Sequence, residues 1–201
     1  MVVPTGIRPV HSFDLWGVIL DQRIIGQYKI DRYRAFAREN RVPEDEMERV
    51  VHDYLALING EPWATGSRKN SIVEAITKPA ALEGIGDHYA SAFQEDALIV
   101  MQEILDAGEG VVIFTSGPAP GLLDRLPPGI SERIGGLRYG NKADTGAFKE
   151  LFKSEAKLGH RVVTHTADEL PELIVGKESG LFERGGLIYV CLLYTSPSPR
   201  D

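Results

Sequence analysis

Polar side chains that can do chemistry stand at or near the ends of several apolar, strand-like runs. They are Asp14 after VHSF, Thr115 and Ser116 in GVVIFTSG, Lys142 in YGNKADTGAF, and Asp168 with Glu172 in RVVTHTADELPEL. An aspartate can attack an electrophile, a hydroxyl and an ammonium can hold an anionic group, and further carboxylates can bind a hard cation such as Mg²⁺. We therefore expect a nucleophilic site centred on Asp14.

The elements that must position these residues alternate between strand and helix in the second half of the chain. Strands are predicted at GVVIFT, RVVTHT and GLIYV, and helices at EDALIVMQEILDAG, TGAFKELFKSEAKLG and ELPELIVGKESG. Such alternation indicates an α/β fold with a Rossmann-like parallel sheet, to which the first strand, ending at Phe13, also belongs. Ligands of such sheets bind outside the carboxyl ends of the strands, which is where the polar residues fall.

The segment between the first strand and the rest of the sheet is predicted to be helical. In PEDEMERVVHDYLALING the apolar residues recur at spacings of three and four, and Ser71 and Glu74 have capping-box spacing in SIVEAI. We predict a core from residues 1–24 and 93–190, with residues 25–92 inserted as a helical cap.

The bulk composition limits the kinds of partner that we expect for this protein. The 201 residues are 43% hydrophobic and 25% charged, as in ordinary globular proteins, and the net charge of −7 argues against nucleic acid or an anionic membrane surface as a partner. No apolar run approaches the roughly 20 residues that span a bilayer. The single cysteine, Cys191, permits no internal disulfide, which favours a cytoplasmic protein. The composition leaves the oligomeric state open.

The last eleven residues, CLLYTSPSPRD, resemble translated read-through of a sequencing-library adapter. We interpret residues 191–201 as a non-native tail and expect the natural protein to continue beyond Val190.

Four motifs in order resemble those of the haloacid dehalogenase (HAD) superfamily of hydrolases with a helical cap. FDLWGVILD is similar to the first motif, VVIFTSG to the second, KADTGAF to the third with Ala143 in place of a proline, and ADELPEL to the fourth. The resemblance implies that Asp14 is the nucleophile, that Thr115 and Lys142 are catalytic, and that Ser116 contacts substrate. It further implies a Mg²⁺ ion held by Asp14, Asp168 and Glu172.

The cap carries a second likeness. GSRKNSIVEAI, residues 66–76, resembles the cap segment of phosphoglucomutase-like members, in which an arginine before a helix reaches the substrate. This predicts that Arg68 binds substrate, although a solvated arginine at a helix start has the same pattern.

Trp16 departs from the phosphatase pattern, which has an aspartate two places after the nucleophile. An indole does not titrate usefully, and losing a general acid commonly costs about 10²–10⁴-fold in rate. Three outcomes stay open. The favoured one is a Mg²⁺-dependent phosphohydrolase, phosphoglycolate-phosphatase-like, acting through an aspartyl phosphate with Trp16 lining the substrate site. The others are a 2-haloacid dehalogenase-like or phosphonate-cleaving hydrolase, and a catalytically degenerate ligand-binding protein.

Overall fold

A computed structural model describes residues 6–58, 66–76, 84–117 and 119–190, with backbone alone for residues 66–70. The chain forms two compact units. The first comprises Met1–Ile19, Gln94–Pro118 and Leu126–Asp201, and the second comprises Leu20–Phe93 and Ala119–Arg125. The predicted insertion, residues 25–92, falls within the second unit. Residues 119–125 join this unit through contacts that include an ion pair between Arg125 and Asp87.

The second unit is helical. Its helices are α1 (Gln22–Glu39), α2 (Glu44–Ile58), α3 (Gly66–Ile76) and the short α4 (Tyr89–Ala92), with 3₁₀ turns at Ile85–His88 and Leu123–Arg125. The faces of α1, α2 and α3 meet in one apolar cluster, which contains Ile30, Tyr33, Ala37, Met47, Val51, Tyr54, Ile72 and Ile76. Helix α1 begins at Gln22, where the Asp21 side chain caps it by accepting from Arg23 N at 2.8 Å.

The first unit is built on five parallel strands. They are β1 (Arg8–Phe13), β2 (Gly110–Thr115), β3 (Leu137–Tyr139), β4 (His160–Ala167) and β5 (Leu187–Tyr189), in the order β3-β2-β1-β4-β5. The predicted α/β class with a parallel sheet is confirmed. The sequence did not predict β3, because three residues between glycines are too short to show a pattern.

The helices of the first unit are α5 (Glu95–Asp106), α6 (Pro128–Ser131), α7 (Thr145–Lys157) and α8 (Leu170–Glu178). Asp144 caps α7 by accepting from Gly146 N at 2.8 Å. Phe148 of α7 enters a buried cluster with Val10, Val112, Phe114, Leu151 and Val162. In α8, Gly176 permits close contact, since a Cβ there would lie 3.1 Å from Leu187 Cδ2. In the part of the chain that is described, no helix has the length and apolarity of a membrane span.

Strand β4 contains an irregularity that matters for the site. Val10 pairs with Val162, but the next residue of β1, His11, pairs with Thr164, so β4 carries one extra residue. Consequently His165 pairs with Ser12 and shares a sheet face with Val162, although residues three apart on a regular strand point to opposite faces.

We predict that Phe148→Ala lowers the free energy of unfolding by about 3–5 kcal/mol, because Phe148 is fully buried and the truncation leaves a cavity. Urea denaturation measures the change. Ile99→Ala, at an α5 position that is 48% exposed, serves as the control and should stay within about 0.5 kcal/mol of the wild type. Equal effects of the two substitutions would contradict the assignment of Phe148 to the core.

Candidate active site

Asp14 lies immediately after β1 at the carboxyl end of the sheet. Its backbone N–H donates to Thr166 O of β4 at 2.8 Å, and its Oδ1 accepts from Leu15 N at 2.6 Å. Asp14 is only 4% exposed. The strand pairing thus carries this carboxylate into a buried position at the edge where ligands of parallel sheets bind.

Lys142 connects two carboxylates. Its Nζ lies 2.5 Å from Asp14 Oδ1 and 2.6 Å from Glu172 Oε2. The lysine sits in the turn between β3 and α7, where its backbone N–H donates to Ser116 Oγ at 3.3 Å. Lys142 and Glu172 are 7% and 6% exposed, so the ammonium and both carboxylates are shielded from water.

Glu172, in the first turn of α8, also contacts a buried histidine. Its Oε1 lies 2.6 Å from His165 Nε2, and His165 Nδ1 lies 3.0 Å from Ser12 Oγ. A carboxylate can only accept, so the N–H of a neutral imidazole is on Nε2, and Nδ1 accepts from the Ser12 hydroxyl. The sequence analysis did not place Ser12 or His165 at the site. The sequence signal that could have located Ser12 and His165 is that both are polar residues at inward-facing positions of otherwise apolar strands.

The electrostatics follow from burial and from this cluster. Burial raises the pKa of Asp14 to about 6, with Lys142 lowering it and Glu172 raising it. Burial alone would lower the pKa of Lys142, but the charges of Asp14 and Glu172 outweigh it and the pKa is raised. Burial, and then the positive charge of Lys142, lowers the pKa of His165 to about 3. At neutral pH the cluster therefore contains a charged lysine, a neutral histidine and a mostly ionised Asp14.

The end of β2 and the loop after it contribute the hydroxyl residues. Thr115 is fully buried, and its Oγ1 accepts from Gly117 N and donates to Gly117 O, both at 3.3 Å. Ser116 is exposed. Trp16 lies against the same loop, because a Cβ added to Gly117 would meet Trp16 Nε1 at 3.1 Å. The single donor of the indole, Nε1–H, therefore lies beside the segment that carries the hydroxyl residues.

Asp168, which follows β4, provides a second carboxylate for a cation. Burial, and then the negative charge of Asp14, raises the pKa of Asp168 to about 7. The described residues contain no group of three or more histidine, cysteine or acidic side chains arranged to hold a metal ion. Magnesium, however, is commonly held by one or two carboxylates together with waters and substrate oxygens. Asp14 and Asp168, whose charges repel each other, fit that requirement.

The predicted site residues thus divide into three groups. Asp14, Lys142 and Glu172 are in direct contact, and the charge of Asp14 acts on Asp168. Thr115 ends β2, and Ser116 and Trp16 belong to the adjoining loops. The Arg68 side chain lies outside the described residues, although its backbone belongs to α3. The predicted metal role of Glu172 stays a prediction, and both of its oxygens already accept hydrogen bonds, from Lys142 and His165.

Comparison with known proteins supports the fold assignment. The sequence matches no family model and no curated protein. Among solved structures, a HAD phosphatase from Thermococcus onnurineus is 18% identical with a TM-score of 0.60, over 90% of this chain and 86% of that one. The HAD-hydrolase YfnB from Bacillus subtilis, solved bound to magnesium, is 15% identical with a TM-score of 0.54, over 87% and 86% of the chains. A 2-haloacid dehalogenase from Pseudomonas syringae pv. Tomato DC3000 is 15% identical with a TM-score of 0.52, over 87% and 84%.

These identities establish the fold alone. The HAD-like fold that the four motifs predicted is confirmed.

The buried histidine predicts a pH dependence of stability. Because the pKa of His165 falls from its usual 6.5 to about 3 on folding, the unfolded chain binds a proton that the folded chain excludes. Its contribution is therefore present above pH 6.5 and is lost as the pH falls toward 3. The raised pKa values of Asp14 and Asp168 change stability with pH in the opposite direction, and they do so both in the wild type and in a variant that lacks the imidazole.

We predict that the wild type loses free energy of unfolding relative to His165→Gln as the pH is lowered from 7 to 4.5. Urea denaturation of both proteins across this range measures the difference. A difference that does not change with pH would contradict a neutral, buried imidazole at His165.

Proposed function

We propose that this protein is a Mg²⁺-dependent phosphohydrolase of small phosphorylated metabolites that acts through an aspartyl phosphate on Asp14. The observation that carries the proposal is the fixation of Asp14. In the described part of the chain both donors to this carboxylate, Lys142 Nζ and Leu15 N, act on Oδ1. Its second oxygen, Oδ2, is then the atom presented for attack on phosphorus.

The chemistry has two steps on this carboxylate. Asp14 Oδ2 attacks the phosphorus, the bond to the leaving oxygen breaks, and an aspartyl phosphate forms. Water then attacks the phosphorus of this intermediate, the bond between phosphorus and Asp14 Oδ2 breaks, and inorganic phosphate leaves as the Asp14 carboxylate is restored. With its pKa near 6, Asp14 is mostly ionised at neutral pH and able to attack.

The neighbouring residues hold charge and orientation. Lys142 supplies a fixed positive charge beside the attacking carboxylate, and the Ser116 hydroxyl can donate to an anionic group. Thr115 can donate to the same group once its hydroxyl turns from Gly117 O. Asp14 and Asp168 would hold Mg²⁺, which when bound offsets the negative charge of the phosphoryl group. Glu172 acts in this scheme as the partner of Lys142, since its oxygens are committed to Lys142 and His165.

A second candidate is a 2-haloacid dehalogenase-like activity. It is favoured by Trp16, because a halide leaving group needs no proton and Trp16 supplies none. In this reaction Asp14 would attack carbon instead of phosphorus and release the halide. The phosphohydrolase is preferred because Asp168, with its charge coupled to Asp14, suits a cation that the dehalogenase chemistry does not use.

We predict that the wild type releases phosphate from a panel of small phosphorylated metabolites in the presence of Mg²⁺ and that Asp14→Asn does not. The loss should be at least about a thousandfold, because the nucleophile itself is removed. A colorimetric phosphate assay with a metal series and a chelator control measures it. Asp106→Asn, an exposed acid on α5 paired with Arg133, is the matched control and should retain activity.

Other outcomes separate the alternatives. Full phosphatase activity in Asp14→Asn would reject the proposal. Halide release from a short 2-haloacid in the presence of chelator would favour the dehalogenase. If both assays are negative but inorganic phosphate raises the melting temperature, the protein binds a phosphorylated ligand without turning it over.

The absence of a titrating group at Trp16 predicts a steep dependence on the leaving group. Aryl phosphates, whose leaving groups need no proton, should be hydrolysed about 10²–10⁴-fold faster than alkyl phosphates. Trp16→Asp should reduce this ratio by restoring an acid, and Trp16→Phe should not. The comparison is made from kcat/KM over a series of phosphate monoesters. A flat dependence in the wild type would show that another group protonates the leaving oxygen.

A further inference from the structure

We propose that His165 and Ser12 are positioning residues for the catalytic lysine, acting through Glu172. Ser12 donates to His165, which donates to Glu172, and Lys142 joins Glu172 to Asp14. The distances along this line are 3.0, 2.6, 2.6 and 2.5 Å. Its effect on rate rests on the proposed function, whereas its geometry does not.

Burial and hydrogen bonding restrict each residue of the line to its present partners. No residue of the line is more than 7% exposed, and Ser12 and His165 are fully buried, so water has little access to replace a lost partner. Glu172 presents one oxygen to His165 and the other to Lys142, which fixes the plane of the carboxylate. Turning this plane would move the acceptor away from Lys142 Nζ.

The line begins and ends at the same strand. Ser12 belongs to β1, and Asp14, two residues further along the chain, comes directly after that strand. The hydrogen bonds run from β1 to β4, to α8, to the turn before α7 and back to the end of β1. The hydrogen bonds therefore hold the Lys142 ammonium in a fixed orientation relative to the backbone that carries the nucleophile.

Aromatic packing holds the histidine ring in place. The ring centroid of His165 lies 6.0 Å from that of Phe114 and 5.3 Å from that of Phe148, both edge-on. Phe182 lies at 6.3 Å. These contacts restrict the ring rotamer, so that Nε2 stays directed at Glu172.

The same strand offers a matched control. His160, at the start of β4, places Nδ1 2.9 Å from Glu155 Oε2, and Arg138 Nε donates to Glu155 Oε1 at 2.8 Å. Glu155 is fully buried. One of its oxygens contacts a histidine, and the other contacts a cationic side chain. This cluster repeats the chemistry of His165, Glu172 and Lys142, and its described contacts do not include Asp14.

The test compares His165→Leu, His165→Gln and His160→Leu with the wild type. We expect His165→Leu to lower kcat on the best phosphate ester by about 10–100-fold, because small misplacements of catalytic groups carry costs of this order. KM should change less than about twofold, since the ammonium charge stays in the site. His165→Gln, which can both donate to Glu172 and accept from Ser12, should restore kcat to within about threefold.

His160→Leu separates positioning from stability. It should lower the melting temperature, as His165→Leu does, but leave kcat unchanged. If His165→Leu does not fold, Ser12→Ala takes its place, with an expected loss in kcat of about threefold from a single hydrogen bond. Unchanged kcat in the variant tested, or no rescue by His165→Gln, would overturn the proposal.

A measurement without substrate distinguishes this inference from the proposed function. In ¹H–¹⁵N spectra, the Nζ signal of Lys142 should be visible in the wild type, His165→Gln and His160→Leu, because a held and buried ammonium exchanges slowly. It should broaden in His165→Leu. A wild type without hydrolase activity would reject the proposed function, while a Lys142 signal independent of His165 would overturn this inference.

Discussion

The structure of the site depends on one ammonium group held between two buried carboxylates. Lys142 Nζ contacts Asp14 and Glu172 at 2.5 and 2.6 Å. Burying charges is costly, and such a group is stable only when its partners satisfy it. Burial raises the pKa of Asp14 and of Asp168, and the negative charge of Asp14 adds to the rise at Asp168. The carboxylate proposed as the nucleophile therefore also favours a cation beside it.

The fold supplies these partners from elements far apart in the chain. Asp14 ends β1, Lys142 lies in the turn before α7, and Glu172 belongs to the first turn of α8. Parallel strands bring the ends of such elements to one edge of the sheet. Asp144 contributes indirectly, because capping α7 fixes the turn that carries Lys142. Local helix chemistry and global topology thus determine the position of the same ammonium group.

Trp16 defines the chemical character of the site more than any single charged residue. Its indole lies against Gly117 in the loop that follows Thr115 at the end of β2. The position two residues after Asp14, the proposed nucleophile, is therefore filled by an aromatic group that can donate a hydrogen bond but cannot transfer a proton. In either candidate reaction, the chemical nature of the leaving group becomes the main determinant of the rate.

The sequence by itself determined the α/β class and the parallel sheet. Apolar periodicity reports which elements form, and the four motifs in order predicted that Asp14, Lys142 and Glu172 belong to one site. It also showed that Trp16 cannot titrate. Element limits were less well determined, since the cap at Asp21 and the three-residue strand β3 depend on contacts rather than on periodicity.

Only the tertiary structure decided the partners of each site residue. The extra residue in β4 turns His165 onto the face of Ser12, where regular alternation predicts the opposite face. Glu172 then accepts from His165 and Lys142 together. Pairing between strands that are distant in the chain determines both the bulge and the side-chain hydrogen bonds. The local pattern of residues does not predict that pairing.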